Sequence, residues 1–190
     1  FPYTTLFRSV DATPPFAARI SANAAAASAR TGTPLLALQR PAWAPGPGER
    51  WRRVADMAGA AAALGEAPRR VLLTVGNQEL AAFCAAPQHA YVARCLEPPR
   101  IQPPGTRCLR QRGPFRYADE RALLEGHGID ALVTKNAGGE ATRAKLEAAR
   151  DCGVEVVMVE RPALPAAAHR AADAEQAWAW LCRCQAARGG

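Results

Sequence analysis

The chain has 190 residues, 49% of them hydrophobic, with a formal net charge of +7 and an isoelectric point near 9.5. That length carries one sizeable core or two small lobes, and no run of 18 apolar residues exists, which excludes a membrane-spanning helix. The basic residues are all Arg except Lys135 and Lys145, and they are scattered, with Arg50, Arg52 and Arg53 the densest group. A scattered positive field favours small anionic partners over nucleic acid, which calls for a basic run or stripe.

The segment FPYTTLFRS (1–9) has no initiator Met and neither the apolar core nor the cleavage site of a signal peptide. It is expected to be a non-native leader joined to the protein near Val10, the alternative being a natural loop or tail. The six cysteines form no CxxC pair and show no Cys/His spacing suited to zinc, so reduced thiols, a cytoplasmic setting and no metal are expected.

In chain order, the end of a buried strand at Val10–Thr13 passes through Pro14-Pro15 into a helix from Ala17 to Arg30, which Gly32 stops. Pro34–Leu38 reads as a buried strand, Pro41–Gly48 as a loop carrying Trp43, Trp51–Val54 as a short strand and Asp56–Leu64 as a helix. The polar link 66–70 suggests a lobe boundary, giving lobes 10–66 and 67–190. Strands follow at 70–73, 91–96, 106–109, 129–133 and 154–159. Helices are expected near 80–85, from Asp119 and Glu120 to Glu125, over 140–150 and over 173–184, the last with Trp178 and Leu181 on one side. Strand–helix alternation with continuous apolar strands predicts an α/β fold of parallel sheets, whose ligands sit at the carboxyl ends of the strands.

Three strand-to-helix passages hold the polar residues. In Thr134-Lys135-Asn136-Ala137-Gly138-Gly139 the two glycines allow close backbone approach, and Lys135, Thr134 and Asn136 add charge and hydrogen-bonding groups that suit a phosphate. An ordinary turn with a surface lysine fits the spacing equally well. Thr74-Val75-Gly76-Asn77-Gln78-Glu79 occupies the same place in an earlier unit, with Thr74, Gly76, Asn77 and Gln78 as candidates, or with Asn77 simply capping the next helix. Asp11 and Thr13 face either a ligand or their own backbone. His89, His127 and His169 have no catalytic partner at a suggestive spacing and read as surface residues. No GxSxG, HExxH or paired-carboxylate motif is present.

The segments VDATPPFAARISANA (10–24), PLLALQRPAW (34–43), LLTVGNQEL (72–80), RGPF (112–115), ADERALL (118–124), VTKNAGGEATRAKLEAAR (133–150) and VEVVMVERP (154–162) resemble, in this order, the precorrin-6A reductase family of cobalamin biosynthesis. The resemblance covers nearly everything from Val10 to Pro162. It implies two Rossmann-like lobes, the first incomplete because the family's opening Gly-rich unit is absent. It also implies NADPH as cofactor and a tetrapyrrole as substrate, in a monomer with no nucleic-acid or membrane partner. By resemblance Lys135, Asn136, Gly138 and Gly139, with Thr134, contact NADPH, and Thr74 and Gly76 lie nearby. Asp11, Thr13, Asn77 and Gln78 are the substrate-side candidates, and no catalytic residue is assigned. The family usually has His at the place of Pro14 and often Arg at that of Asn77. An inactive, truncated nucleotide-binding module of the same fold is the alternative function.

Overall fold

The computed structural model describes residues 7–165 and 169–186, so the first six residues of the expected leader lie outside the described residues. Along the chain run β1 (Ser9–Asp11), α1 (Ala18–Thr31), β2 (Leu35–Leu38), β3 (Trp51–Val54), α2 (Met57–Ala63), β4 (Arg70–Thr74), a 3-10 helix (Asn77–Ala85), β5 (Ala90–Cys95) and β6 (Arg107–Arg110). They are followed by α3 (Tyr117–Gly126), β7 (Ala131–Lys135), a 3-10 turn (Glu140–Thr142), α4 (Ala144–Asp151), β8 (Glu155–Val159), β9 (His169–Ala171) and α5 (Ala174–Ala186). Every strand pairing is parallel. The α/β, parallel-sheet expectation therefore holds.

The chain divides into two compact units, residues 1–42 with 162–190, and residues 43–161. In the first, three strands are ordered β1-β2-β9, and β1 is not the buried strand expected, since it lies at the sheet's edge with Val10 38% exposed. The alanine-rich α1 follows the Pro14-Pro15 corner and ends at Gly32, whose φ of 66° is the left-handed conformation that glycine adopts without a Cβ penalty. Leu36, Ala171, Ala177 and Trp180 form this unit's core. Trp180, not Trp178, is the buried tryptophan of α5, since Trp178 is 66% exposed.

The second unit carries six strands in the order β3-β8-β7-β4-β5-β6. Its central strands bury both faces, which explains their unbroken Val/Leu/Ala runs: Val71–Leu73 and Ala131–Val133 are fully enclosed. One set of alternating residues, Leu72, Val92, Leu132, Val156 and Met158, packs against Leu123 and Leu124 of α3 and Leu146, Ala148 and Ala149 of α4. α2 packs against the 3-10 helix.

The lobe boundary expected at 66/67 is not where the fold divides. β3 pairs with β8, Trp51 opposite Val156 and Val54 opposite Val159, so it belongs to the sheet of residues that follow it by a hundred positions. β9 pairs with β2, Leu36 opposite His169, so the C-terminal strand and helix belong with the N-terminal residues. Nearness along the chain did not set these pairings. Each short strand completes an edge of a sheet otherwise built from a distant segment.

One more expectation is corrected. His89 is 4% exposed and packs edge-on against Tyr91, and burial holds its imidazole below the usual pKa. Glu120, in the first turn of α3 as its sequence position suggested, is buried. It is 1% exposed and pairs at 2.8 Å with Arg94 of β5, whose guanidinium also lies 4.1 Å from the centre of the Phe115 ring. The Glu120 Oε2 atom has no further partner. Removing one member of such a pair strands the other in a dry site.

Arg94→Ala is therefore expected to lower stability by about 3–5 kcal/mol in chemical denaturation, while the double variant Arg94→Leu, Glu120→Leu recovers most of it. A single variant no worse than the double would contradict this.

Candidate functional site

The second unit brings two of the three polar loops together at the carboxyl ends of adjacent strands. β4 and β7 pair in register with Thr74 opposite Thr134, and the Thr74 hydroxyl donates to the Val133 carbonyl at 3.2 Å. One residue on, Lys135 Nζ donates to both carboxylate oxygens of Glu79 at 2.9 Å. Glu79 in turn accepts the Gly76 N–H at 2.6 Å, so one carboxylate ties the loop after β4 to the loop after β7. The pair is about a quarter exposed, which makes it a weak, exchangeable ion pair. Glu79, in the first turn of the 3-10 helix, is thus a candidate site residue. Nothing in the spacing signalled its partner.

Asn136 is 1% exposed and serves the backbone of Trp43. Its Oδ1 accepts the Trp43 N–H at 2.8 Å and its Nδ2 donates to the Trp43 carbonyl at 3.1 Å. The indole N–H of Trp43 then donates to the Gly139 carbonyl at 3.1 Å, and Arg161 donates to the Asn136 and Ala137 carbonyls at 2.8 and 3.1 Å. The side-chain amide expected to meet a ligand is committed to the protein. Asn136 acts by holding the loop. Trp43 and Arg161 were missed as parts of this site because they lie on segments remote from the loop in sequence.

The glycine pair keeps the character the sequence suggested. Gly138 and Gly139 have φ of 68° and 83°, a conformation costly for any other residue. Their N–H groups donate to no acceptor among the described residues, although Gly138 is buried. Buried amides are rarely left so. The buried Thr134 hydroxyl is likewise without a partner. The helix expected to start at Glu140 begins at Ala144 instead, after the 3-10 turn, because Arg143 and Leu146 bond three residues back, to Glu140 and Arg143. The donors offered by this loop are therefore its own amides, without help from a helix end.

Asn77 donates to the Glu97 carbonyl at 2.8 Å. With the exposed Gln78 it lines a cleft of about 600 Å³ that also involves Glu97, Arg100 and Ile101. Asp11 and Thr13 belong to the first unit. There Asp11 accepts the Thr13 amide and hydroxyl at 3.1 and 2.8 Å, and the Thr13 hydroxyl meets Ser21 at 2.8 Å. Burial raises the Asp11 pKa, but the bonds from Ser21 and Thr13 outweigh it and leave it below the usual carboxylate value. Among the described residues no cluster of three or more His, Cys, Asp or Glu could hold a metal ion, and no helix is long and apolar enough to cross a membrane.

Thr134→Val deletes an unpartnered buried hydroxyl while keeping the shape. Stability of the ligand-free chain is expected to stay the same or rise by about 1 kcal/mol in urea unfolding, and a clear loss would mean that the hydroxyl is already satisfied.

Comparison with known proteins gives a consistent picture. Residues 7–182 match the family described as precorrin-6x reductase CbiJ/CobK. Curated relatives include precorrin-6A reductases of Rhodococcus erythropolis, 48% identical over 90% of this chain and 70% of that protein, and of a Sinorhizobium species, 53% identical over 80% and 59%. The cobalt-precorrin-6A reductase of Priestia megaterium is 30% identical over 80% of this chain and 64% of that protein. A solved structure described as CobK precorrin-6A reductase superposes with a TM-score of 0.87 at 45% identity, over 92% of this chain and 72% of that one. A family match across most of the chain, together with relatives close to half identical, leads to one conclusion: the chain belongs to the precorrin-6x reductase family.

Proposed function

We propose that the chain is an NADPH-dependent reductase that converts precorrin-6A to precorrin-6B in cobalamin biosynthesis. The cofactor's phosphates would lie against the loop Thr134–Gly139. The observation that carries this reading is the pair of unpartnered Gly138 and Gly139 amides beside Lys135. Two backbone donors and a nearby ammonium are the donor set a phosphate needs, and a Cβ at either glycine would oppose the close approach. The residues present therefore fit a nicotinamide dinucleotide at this loop.

When bound, NADPH supplies the hydride, and the protein supplies position and electrostatics. Gly138 and Gly139 donate to phosphate oxygens. Lys135 exchanges Glu79 for the ligand's negative charge, and Thr134, Thr74 and Gly76 line the same strand ends. Asn136 holds the loop to Trp43. Asn77 and Gln78, on the 600 Å³ cleft, are proposed to face the macrocycle, with Asp11 and Thr13 retained as substrate-side candidates in the first unit. Relatives named for precorrin-6A are 41–53% identical and those named for cobalt-precorrin-6A 29–30%, which supports the metal-free substrate.

NADPH binding by the 190-residue chain, with NADH as comparator, tests the reading. Lys135→Ala is expected to weaken NADPH binding by about tenfold or more, the scale of one charge-assisted hydrogen bond. Glu79→Gln, which frees the ammonium from its internal competitor, is expected to tighten it several-fold. Unchanged dissociation constants in both variants would remove Lys135 from the site. Binding without turnover of precorrin-6A would favour an inactive nucleotide-binding module.

A further inference from the structure

His89 lies in the turn between the 3-10 helix Asn77–Ala85 and β5, and it is 4% exposed. Both ring nitrogens are enclosed and neither makes a hydrogen bond. The Gly65 carbonyl is near enough to favour a cation, but Gln88 Nε2 already holds it at 2.9 Å. The charged group facing the ring is Arg69, itself a cation, which pairs with Glu155 at 2.9 Å. A neutral imidazole can rest in such a pocket, whereas an imidazolium there is a buried charge without a counter-ion. The ring is also part of what holds the helix down. It meets the Tyr91 ring edge-on at 6.0 Å, and Tyr91 meets Phe83 of the helix at 5.9 Å. The Tyr91 hydroxyl donates to the Ala86 carbonyl at 2.8 Å, where the helix ends. A 3-10 helix has poorer internal hydrogen bonds than an α-helix and leans more on such contacts.

We propose that His89 is a pH-operated latch: while its ring is neutral, residues 77–90 stay closed on the second unit's sheet, and protonation of the ring releases them. Asn77 and Glu79 lie in the first turn of the same helix, so release also withdraws the carboxylate to which Lys135 donates. The latch does not depend on the cofactor reading. Burial lowers the His89 pKa, the Gly65 carbonyl raises it and Arg69 lowers it, with a net fall below the ordinary value of about 6.5. In the released segment the ring regains that ordinary value. Release therefore takes up a proton below about pH 6.5. The closed form is fully favoured above that pH and loses ground as the pH falls from there toward the pKa of the closed form.

The test is amide hydrogen exchange on the whole chain and on His89→Phe, at about pH 7.5 and about pH 5.5, with the intrinsic exchange rate divided out. His89→Phe keeps a ring against Tyr91 and removes the titrating nitrogens. In the wild type, protection across residues 77–90 should fall severalfold at the lower pH, about tenfold being the limit for one proton, while β7 keeps its protection. His89→Phe should show no such fall. Wild-type protection that does not change with pH overturns the proposal. So does a fall shared equally by β7, or one undiminished in His89→Phe. If the variant does not fold, the imidazole resonances of the wild type decide. A His89 ring that titrates at the ordinary histidine value in the folded chain overturns the latch, and one that titrates below it, or only on unfolding, supports it.

Discussion

The bond network between Asn136 and Trp43 is the constraint on which the site depends. A carboxamide offers one acceptor and two donors, and here it closes on both polar groups of one backbone residue, inside the protein, across 93 positions of sequence. Buried amide–backbone bonds of this kind contribute about 1 kcal/mol each when made, and cost more when one partner is removed. The pairing fixes where the chain enters the second unit. It also sets the indole that bonds to Gly139, and so fixes the shape of the glycine loop. Arg161 completes the frame by donating to the two carbonyls that precede the glycines. The loop is thereby held from behind by side chains, while the amides of Gly138 and Gly139 stay unpaired.

Beneath that frame the layer between the sheet and helices α3 and α4 is apolar except for a few polar groups gathered toward the strands' carboxyl ends. Arg94, Glu120, Thr134 and Lys145 all lie within an interior otherwise built of Leu, Val and Ala. Such groups are costly in isolation, and each unmet valence there needs a reason. Glu120 Oε2 and the Thr134 hydroxyl are both left unmet. A fold selected for stability alone would fill this layer with hydrocarbon.

Much of the architecture was legible because the central strands are apolar on both faces and the helices stop at glycine. β3 was read as Trp51–Val54 and α1 to within a residue, from Gly32 alone at its end. Strand pairing was not legible. Nothing in WRRV says that it will lie beside VVMV rather than beside LLAL, since both neighbours are apolar and parallel. β9, three residues with one buried, was too short to show a pattern. In the site, the glycines were legible because a positive φ has few other occupants. The fate of Asn136 was not, because a carboxamide suits a ligand and a backbone equally well and only the arrival of Trp43 decides. The burial of Lys145 was not legible either, because a lysine in a helix of alternating charge ordinarily reaches water.

The central claim is that the amides of Gly138 and Gly139 are kept free for the cofactor's phosphates. It is tested most directly by following the backbone amide resonances of isotope-labelled protein while NADPH is added. The account predicts that the Gly138 and Gly139 signals move farther than those of the rest of the chain, saturate with the binding curve and become protected from hydrogen exchange. If NADPH binds and saturates while those two amides stay unmoved and the shifts gather elsewhere, the glycine loop is not the phosphate site.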